Sequence, residues 1–148
     1  MISLLVLMGS ALAGGFGNGH GSEARQAKTL GDAASDYWEG VRWNDSNKAG
    51  KYLPEMTTRL SLTQMLAEPG VHLTDATVIQ VELGTTPKDK GPRPAVAMIR
   101  LEIIDVAKNR YDTLTYVQHW KAAGSGWQVD EAQSPLGTDR PWVLPQTP

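Results

Sequence analysis

The chain has 148 residues, of which 41% are hydrophobic and 20% charged; this is the size of one domain and the composition of a soluble globular protein, which argues against a disordered chain, a collagen or a protein with many membrane spans. The formal net charge is -2 and like charges form no block, so the long-range positive field that favours nucleic-acid binding is missing. Cysteine is absent, which excludes disulfides, thiolate catalysis and cysteine-based metal sites.

The first segment, residues 1–13, predicts a secretory signal. It reads MISLLVLMGSALA, an apolar run followed by small residues that ends in the Ala-x-Ala form of a signal-peptidase site. We therefore expect export to the periplasm or the outside of a bacterial-type cell, and no integral membrane span. The alternative is an uncleaved N-terminus that tethers the chain to the membrane, although the apolar stretch is shorter than the roughly 20 residues of a spanning helix.

A glycine-rich linker and a group of helices come next. Residues 14–23 hold several glycines and are predicted as a linker, because ordering glycine costs much backbone entropy. Apolar residues then recur at spacings of three and four, the stripe of an α-helix that ends near Trp43. The stripe consists of Ala27, Leu30, Ala34, Trp38 and Val41. Residues 44–46 offer an N-cap for a short second helix ending at Leu53, and a third helix is predicted from Pro54 to Pro69.

Beyond Gly70 the apolar period changes from 3.6 to 2, which predicts strands. They are expected at 77–83, 95–103, 111–120 and 127–130. In the first strand Thr77, Ile79, Val81 and Leu83 are predicted to share one face, and in the second Ala95, Ala97, Ile99, Leu101 and Ile103 do so. Asn109 tolerates positive φ and suits a turn, and the Gly-Ser-Gly sequence at 124–126 predicts a hairpin in which Trp120 would face Trp127.

Helices followed by hairpin-connected strands indicate an α+β domain, with N-terminal helices packed on a curved antiparallel sheet in a cystatin-like cone. The last segment, residues 135–148, holds four prolines and is predicted to be an extended tail. Its apolar triplet, Trp142, Val143 and Leu144, is a candidate partner-binding site. Two alternatives stay open for the triplet: it folds back over its own domain, or it docks on a partner.

The order of these elements, with YWEGVRWND on the first helix and QHWKAAGSGWQVD at the end of the sheet, resembles the nuclear transport factor 2-like superfamily. The resemblance covers roughly residues 24–131, and the domain that it implies is placed at 24–134. It implies a cone-shaped domain, and the superfamily includes ketosteroid isomerase, polyketide cyclases and dehydratases as well as members that only bind ligands or proteins.

The comparison with the isomerase, whose oxyanion hole uses a tyrosine and a protonated aspartic acid, implies particular site residues. The resemblance implies that Tyr37 occupies the position of the isomerase's tyrosine and that Gln118 occupies the position of its aspartic acid. The segment that carries the family's base offers only Glu55, which at the start of a helix is more often a partner of the helix dipole. The pocket candidates are Tyr37, Trp38, Gln118, Trp120 and Trp127.

We therefore expect a non-catalytic exported accessory or binding protein, for example a subunit of a cell-envelope assembly, with a protein partner, a second copy or a small apolar ligand. The alternative is a small-molecule-binding protein or an isomerase- or cyclase-like enzyme that uses Tyr37 and Gln118 as hydrogen-bond donors in a pocket. No metal or cofactor is expected, because His20, His72 and His119 lack ligand spacing.

Overall fold

A computed structural model describes residues 3–5, 18–56, 59–60, 63 and 70–133. Their elements, in chain order, are β1 (Ser3–Leu5), α1 (Asn18–Arg42), α2 (Ser46–Gly50), β2 (Val71–Leu83), β3 (Pro94–Asp105), β4 (Arg110–Ala123) and β5 (Gly126–Val129). Positions 56, 59, 60 and 63 are also helical, as predicted for the third helix. The predicted end of that helix at Pro69 lies outside the described residues.

The first helix begins earlier than its apolar stripe indicates. It starts at Asn18, so residues 18–23, predicted as linker, are helical. The physical reason is a tertiary contact: the guanidinium of Arg93 lies 2.8 Å from the carboxylate of Glu23 and donates to Oε1 of Gln26 at 2.7 Å. These bonds hold the early turns of α1 against the loop between β2 and β3, and such contacts override a weak local propensity.

The apolar stripe of α1 is the side that enters the core, as predicted. α1 packs mainly on β2 and also contacts α2, β3 and β5. The buried residues of the helix are Ala27, Leu30, Ala34, Tyr37, Trp38 and Val41. The predicted cap of α2 is confirmed, since a carboxylate oxygen of Asp45 accepts the backbone N–H of Lys48 at 3.0 Å.

The five strands form one antiparallel sheet in the order β1-β2-β3-β4-β5. With helices on one side of this sheet, the α+β class is confirmed. β1, which lies within the predicted signal, pairs its residue Ser3 with Leu83. The turn predictions hold for Asn109, with φ of 47°, and for Gly124, with φ of 57°. Side chains of β3 that alternate toward α1 are buried, namely Ala95, Ala97, Ile99, Leu101 and Ile103.

One predicted face of β2 is wrong. Val81 and Leu83 are buried as expected, whereas Ile79 is 38% exposed. A β-bulge between Val78 and Gln80 causes the difference, because the extra residue shifts the inward and outward alternation by one position. Val78 consequently packs against the core.

The prediction that Trp120 and Trp127 lie directly opposite each other in the last hairpin is also wrong, because the two strands pair in a different register. The turn after Ala123 sets that residue opposite Gly126, so that Trp127 pairs with Ala122 and Trp120 with Val129. Trp120 and Trp127 are nevertheless both buried, since positions two residues apart on paired strands share a face. None of the helices in the described ranges has the length and apolar character needed to cross a membrane.

Candidate functional site

Four of the five predicted pocket residues meet between α1 and β4. We call Tyr37, Trp38, Gln118 and Trp120 the interior cluster; each is at most 1% exposed. Tyr37 and Trp38 are neighbours on the buried side of α1. Gln118 and Trp120 point the same way from β4, because strand positions two residues apart lie on one face. The local periodicities of one helix and one strand thus bring the cluster together.

A buried amide joins the two indoles of the cluster. Gln118 Oε1 accepts a hydrogen bond from Trp38 Nε1 at 2.8 Å and another from Trp120 Nε1 at 3.0 Å. A carbonyl oxygen has two lone pairs, so both are used within the protein. A neutral side chain is suited to this place because a carboxylate would carry a large cost of desolvation. Gln118 therefore ties the helix to the sheet through its acceptor.

The phenol of Tyr37 fills the space beside these indoles. Its ring meets Trp38 edge to face with centroids 5.3 Å apart, and Trp120 with centroids 6.0 Å apart. Burial raises the pKa of Tyr37 well above its usual range, and repulsion from an ionised Tyr116 and from the carboxylate of Glu131 raises it further. The phenol is consequently neutral at physiological pH. Its oxygen is buried, and no residue of the described ranges is its hydrogen-bond partner.

Glu131 is a carboxylate near the cluster that sequence reasoning did not find. It follows β5 in a turn, and its charge acts on the phenol of Tyr37. The resemblance directed the search for a base to Glu55, whose side chain is exposed. The only signal in the sequence was an acid directly after the last strand, and such acids are ordinary at strand ends.

Trp127, the fifth predicted pocket residue, makes its polar contact elsewhere. Its Nε1 donates to Thr29 Oγ1 on α1 at 3.1 Å. It lines a cavity of about 430 Å³ between α1 and β5, together with Asp36 and Tyr52. Two other cavities are described, of about 170 Å³ on the sheet and about 530 Å³ beside α2. Neither Tyr37 nor Gln118 lines any of these three cavities.

Asp36 organises the contact between α1 and the segment that follows α2. It accepts the hydroxyl hydrogen of Tyr52 at 2.6 Å, and Nζ of Lys51 lies 2.8 Å and Nζ of Lys48 3.4 Å from its carboxylate. Burial on its own raises the pKa of Asp36, but the hydrogen bonds from Lys51, Tyr52 and Lys48 and the charge of Lys51 outweigh it, so the net pKa is lowered.

Replacing Asp36 by asparagine is expected to lower the free energy of unfolding by about 1–2 kcal/mol at neutral pH, since charge-assisted hydrogen bonds are lost. A carboxyl whose pKa is lowered by folding stabilises the protein above its unfolded pKa and loses that contribution as pH falls through the folded value. Urea unfolding of both proteins between pH 7 and pH 2 measures this. The difference should shrink in acid below the ordinary value of 3.8; a difference that stays constant would contradict the assignment.

The remaining predicted site residues lie apart from the cluster. His72 is exposed and His119 is half-buried on the opposite face of β4 from Gln118, while His20 falls within α1. Within the described ranges no group of three histidine or carboxylate side chains is placed to hold a metal ion. The tail residues Trp142, Val143 and Leu144 lie outside the described residues.

In comparisons with protein-family models, curated proteins and solved structures, this chain matches none of them. The fold and the site therefore define this protein only as an α+β domain with a polar and aromatic cluster in its interior. The resemblance of the chain to the nuclear transport factor 2-like superfamily remains a prediction from its sequence.

Proposed function

We propose that this chain is a non-catalytic exported binding or accessory protein with a nuclear transport factor 2-like cone. The observation that carries this proposal is the saturated Oε1 of Gln118, to which both indole N–H groups of the interior cluster donate. The two indole donors fix the amide within the core, which supports a structural role for Gln118. The family's acid is thus replaced by a structural amide.

The packing around Tyr37 supports the same proposal. Ligand sites are concave and combine an open cavity with a few polar groups that point into it. Here the rings of Trp38 and Trp120 pack edge to face against the phenol at 5.3 and 6.0 Å, and the three described cavities lie elsewhere. Binding of a partner, a second copy or a small apolar ligand would then use a surface or one of those cavities rather than the cluster.

The apolar leader at residues 1–13 supports export to the periplasm or the cell exterior. An exported binding domain fits the role of a subunit in a cell-envelope assembly. The tail, with Trp142, Val143 and Leu144, remains a candidate for contact with a protein partner.

A second candidate function, that of an isomerase- or cyclase-like enzyme or small-molecule binder, is favoured by one observation. The buried oxygen of Tyr37 has no hydrogen-bond partner in the described part of the chain, and Glu131 lies close enough for its charge to act on it. In such an enzyme the phenol would donate to a substrate carbonyl while the carboxylate removed a proton from the adjacent carbon.

Deuterium exchange at the carbon next to the carbonyl of a cyclic ketone separates the two functions. We expect the purified chain to leave the exchange at its uncatalysed rate in D₂O, as followed by proton NMR. The matched variants are Tyr37→Phe and Glu131→Gln. Exchange that the chain accelerates and that both variants abolish would establish the enzyme and overturn the non-catalytic proposal.

Tyr37→Phe also has a defined effect on stability. Removing a buried hydroxyl that has no partner among the described residues removes its cost of desolvation, so the free energy of unfolding should stay unchanged or rise by up to about 1 kcal/mol. Tyr52→Phe is the matched control, because its hydroxyl donates to Asp36 at 2.6 Å and its loss should destabilise by about 1 kcal/mol. Equal losses in both variants, measured by urea unfolding, would indicate that the Tyr37 hydroxyl is bonded.

A further inference from the structure

A cleft lies between α2 and the third helix. The described helical positions of the third helix, 56, 59, 60 and 63, are spaced i, i+3, i+4 and i+7, so they share one side of it. The hydroxyl of Thr63 donates to the carbonyl of Arg59 at 3.0 Å, as expected one turn further along a helix. This side of the third helix and residues of α2 together line the cavity of about 530 Å³. We call this cavity the interhelix cleft.

Two apolar side chains line the interhelix cleft without being buried. Met56 is 71% exposed and Leu60 is 58% exposed, although both border the cavity together with α2. An amphipathic helix ordinarily buries its apolar side against its neighbour, whereas the described residues leave this side open. Exposed apolar side chains in a cavity of this volume are typical of a ligand groove.

The guanidinium of Arg59 is held at one wall of the interhelix cleft. Its Nε donates to the carbonyl oxygen of Leu53 at 2.7 Å, and Leu53 is fully buried. The aliphatic part of the arginine lies over Gly50, since a Cβ at that glycine would be 3.6 Å from Cγ of Arg59. The side chain is therefore oriented before a ligand binds, which lowers the entropy lost on binding.

Arg59 supplies the unmatched positive charge of the interhelix cleft. The described residues that line it include two cations, Lys51 and Arg59, and no acid. Nζ of Lys51 already lies 2.8 Å from a carboxylate oxygen of Asp36, whereas the terminal nitrogens of Arg59 pair with no acid of the described ranges. A guanidinium with an engaged Nε still presents N–H groups on both terminal nitrogens, and the two oxygens of a carboxylate match them. One free cation beside an apolar wall therefore favours a ligand with a single carboxylate.

We propose that the interhelix cleft binds a single-chain amphiphile with a carboxylate head, such as a fatty acid of medium length. The head would lie on Arg59 and the alkyl chain over Met56 and Leu60. This inference rests on the proposed binding function and gives it a ligand class, an anionic amphiphile rather than a wholly apolar molecule. The interior cluster keeps its structural role, because neither Tyr37 nor Gln118 lines this cleft.

Calorimetric titration of the full chain with decanoate tests the ligand class. We expect saturable one-to-one binding at concentrations below those at which decanoate forms micelles. From octanoate to decanoate each added methylene should strengthen binding about two- to fourfold, because it covers further apolar surface. Octanol, which has the chain without the charge, should bind about tenfold more weakly than octanoate. Acetate, which has the head without the chain, should not compete with decanoate at equal concentration.

Two substitutions separate the head from the chain. Arg59→Gln should weaken decanoate about tenfold and leave octanol unchanged; its matched control is Arg25→Gln, at an exposed site of α1, which should change neither affinity. Leu60→Ser should weaken both ligands, and Val106→Ser, at a residue that is 61% exposed, should weaken neither. Leu60→Ser leaves the bond from Arg59 to Leu53 intact, and near-UV circular dichroism of each variant without ligand checks that it is folded.

Methyl NMR of the chain labelled at methionine locates the ligand. The substitutions Met56→Leu and Met98→Leu assign the two signals that matter. Decanoate should shift the signal of Met56, which lines the interhelix cleft, and should leave unmoved the signal of Met98, which lies on β3.

Three results would overturn the proposal. Decanoate that binds only as micelles, or not at all, rules out the ligand class. Acetate that competes as strongly as decanoate reduces the cleft to an anion site without a chain. Decanoate binding that survives both Arg59→Gln and Leu60→Ser, with an unmoved Met56 signal, places the ligand elsewhere and leaves the proposed binding function standing. That function fails on a different measurement, the ketone exchange described above, so the two failures are distinguishable.

Discussion

Replacing Gln118 by leucine is expected to lower the free energy of unfolding by about 2–4 kcal/mol, the largest effect of a single polar substitution in this domain. The variant keeps the volume of the side chain but removes the oxygen that accepts from Trp38 and Trp120 at 2.8 and 3.0 Å. Each indole N–H would then lose its Gln118 acceptor, at a cost of roughly 1–3 kcal/mol per group. Urea unfolding followed by far-UV circular dichroism measures the loss.

The matched control for this substitution is Gln128→Leu on β5. Gln128 lies between two buried residues and is half-buried on the other face of the strand, so its loss should change stability by no more than about 0.5 kcal/mol. In a Trp38→Phe background one of the two donors is already absent, and Gln118→Leu should then cost about half as much. Equal losses at both glutamines would show that the Gln118 amide is not a structural acceptor.

The parts of the fold that sequence could predict are those set by local periodicity. The stripe from Ala27 to Val41 and the alternation in β3 from Ala95 to Ile103 are both buried as expected, because one helix or one strand alone determines which of its side chains share a face. The cap at Asp45 and the turn at Asn109 follow from chemistry within a few residues.

The features that sequence missed all depend on a second segment. The start of α1 at Asn18 depends on Arg93, which is far along the chain. The exposure of Ile79 follows from a bulge that exists only as a mismatch between β2 and β3. The position of Trp127 opposite Ala122 depends on the geometry of the turn between β4 and β5. Periodicity within a single strand carries no information on such mismatches.

The interior cluster, too, could be predicted from the sequence only in part. Tyr37 and Gln118 were found through a resemblance, and burial of both follows from periodicity. The bonds that Gln118 makes could not be inferred, because Trp38 is 80 positions away in sequence. Glu131 is missed for the same reason, since Tyr37, on which its charge acts, lies far away in sequence.

Replacing Gly40 by alanine is expected to lower the free energy of unfolding by about 2–3 kcal/mol, although alanine is the better helix former by about 1 kcal/mol in an exposed helix. A Cβ at this site would lie 2.7 Å from the backbone nitrogen of Ala49 and 3.0 Å from the carbonyl oxygen of Asp45. Both are backbone atoms at α2, so the whole of α2 would have to move away from α1. Overpacking of this kind destabilises the protein by more than the higher helix propensity of alanine stabilises it.

The control for Gly40→Ala is Ser35→Ala on the exposed side of the same helix, which should gain about 0.5 kcal/mol from propensity alone. The two substitutions therefore have opposite expected signs in urea unfolding. Amide hydrogen exchange adds a local measure, because displacement of α2 should speed exchange at Lys48, whose N–H donates to Asp45 at 3.0 Å. If Gly40→Ala instead stabilises the domain as Ser35→Ala does, α1 and α2 cannot be in contact through this glycine, and the network that joins Asp36 to Lys48 and Lys51 loses its geometric basis.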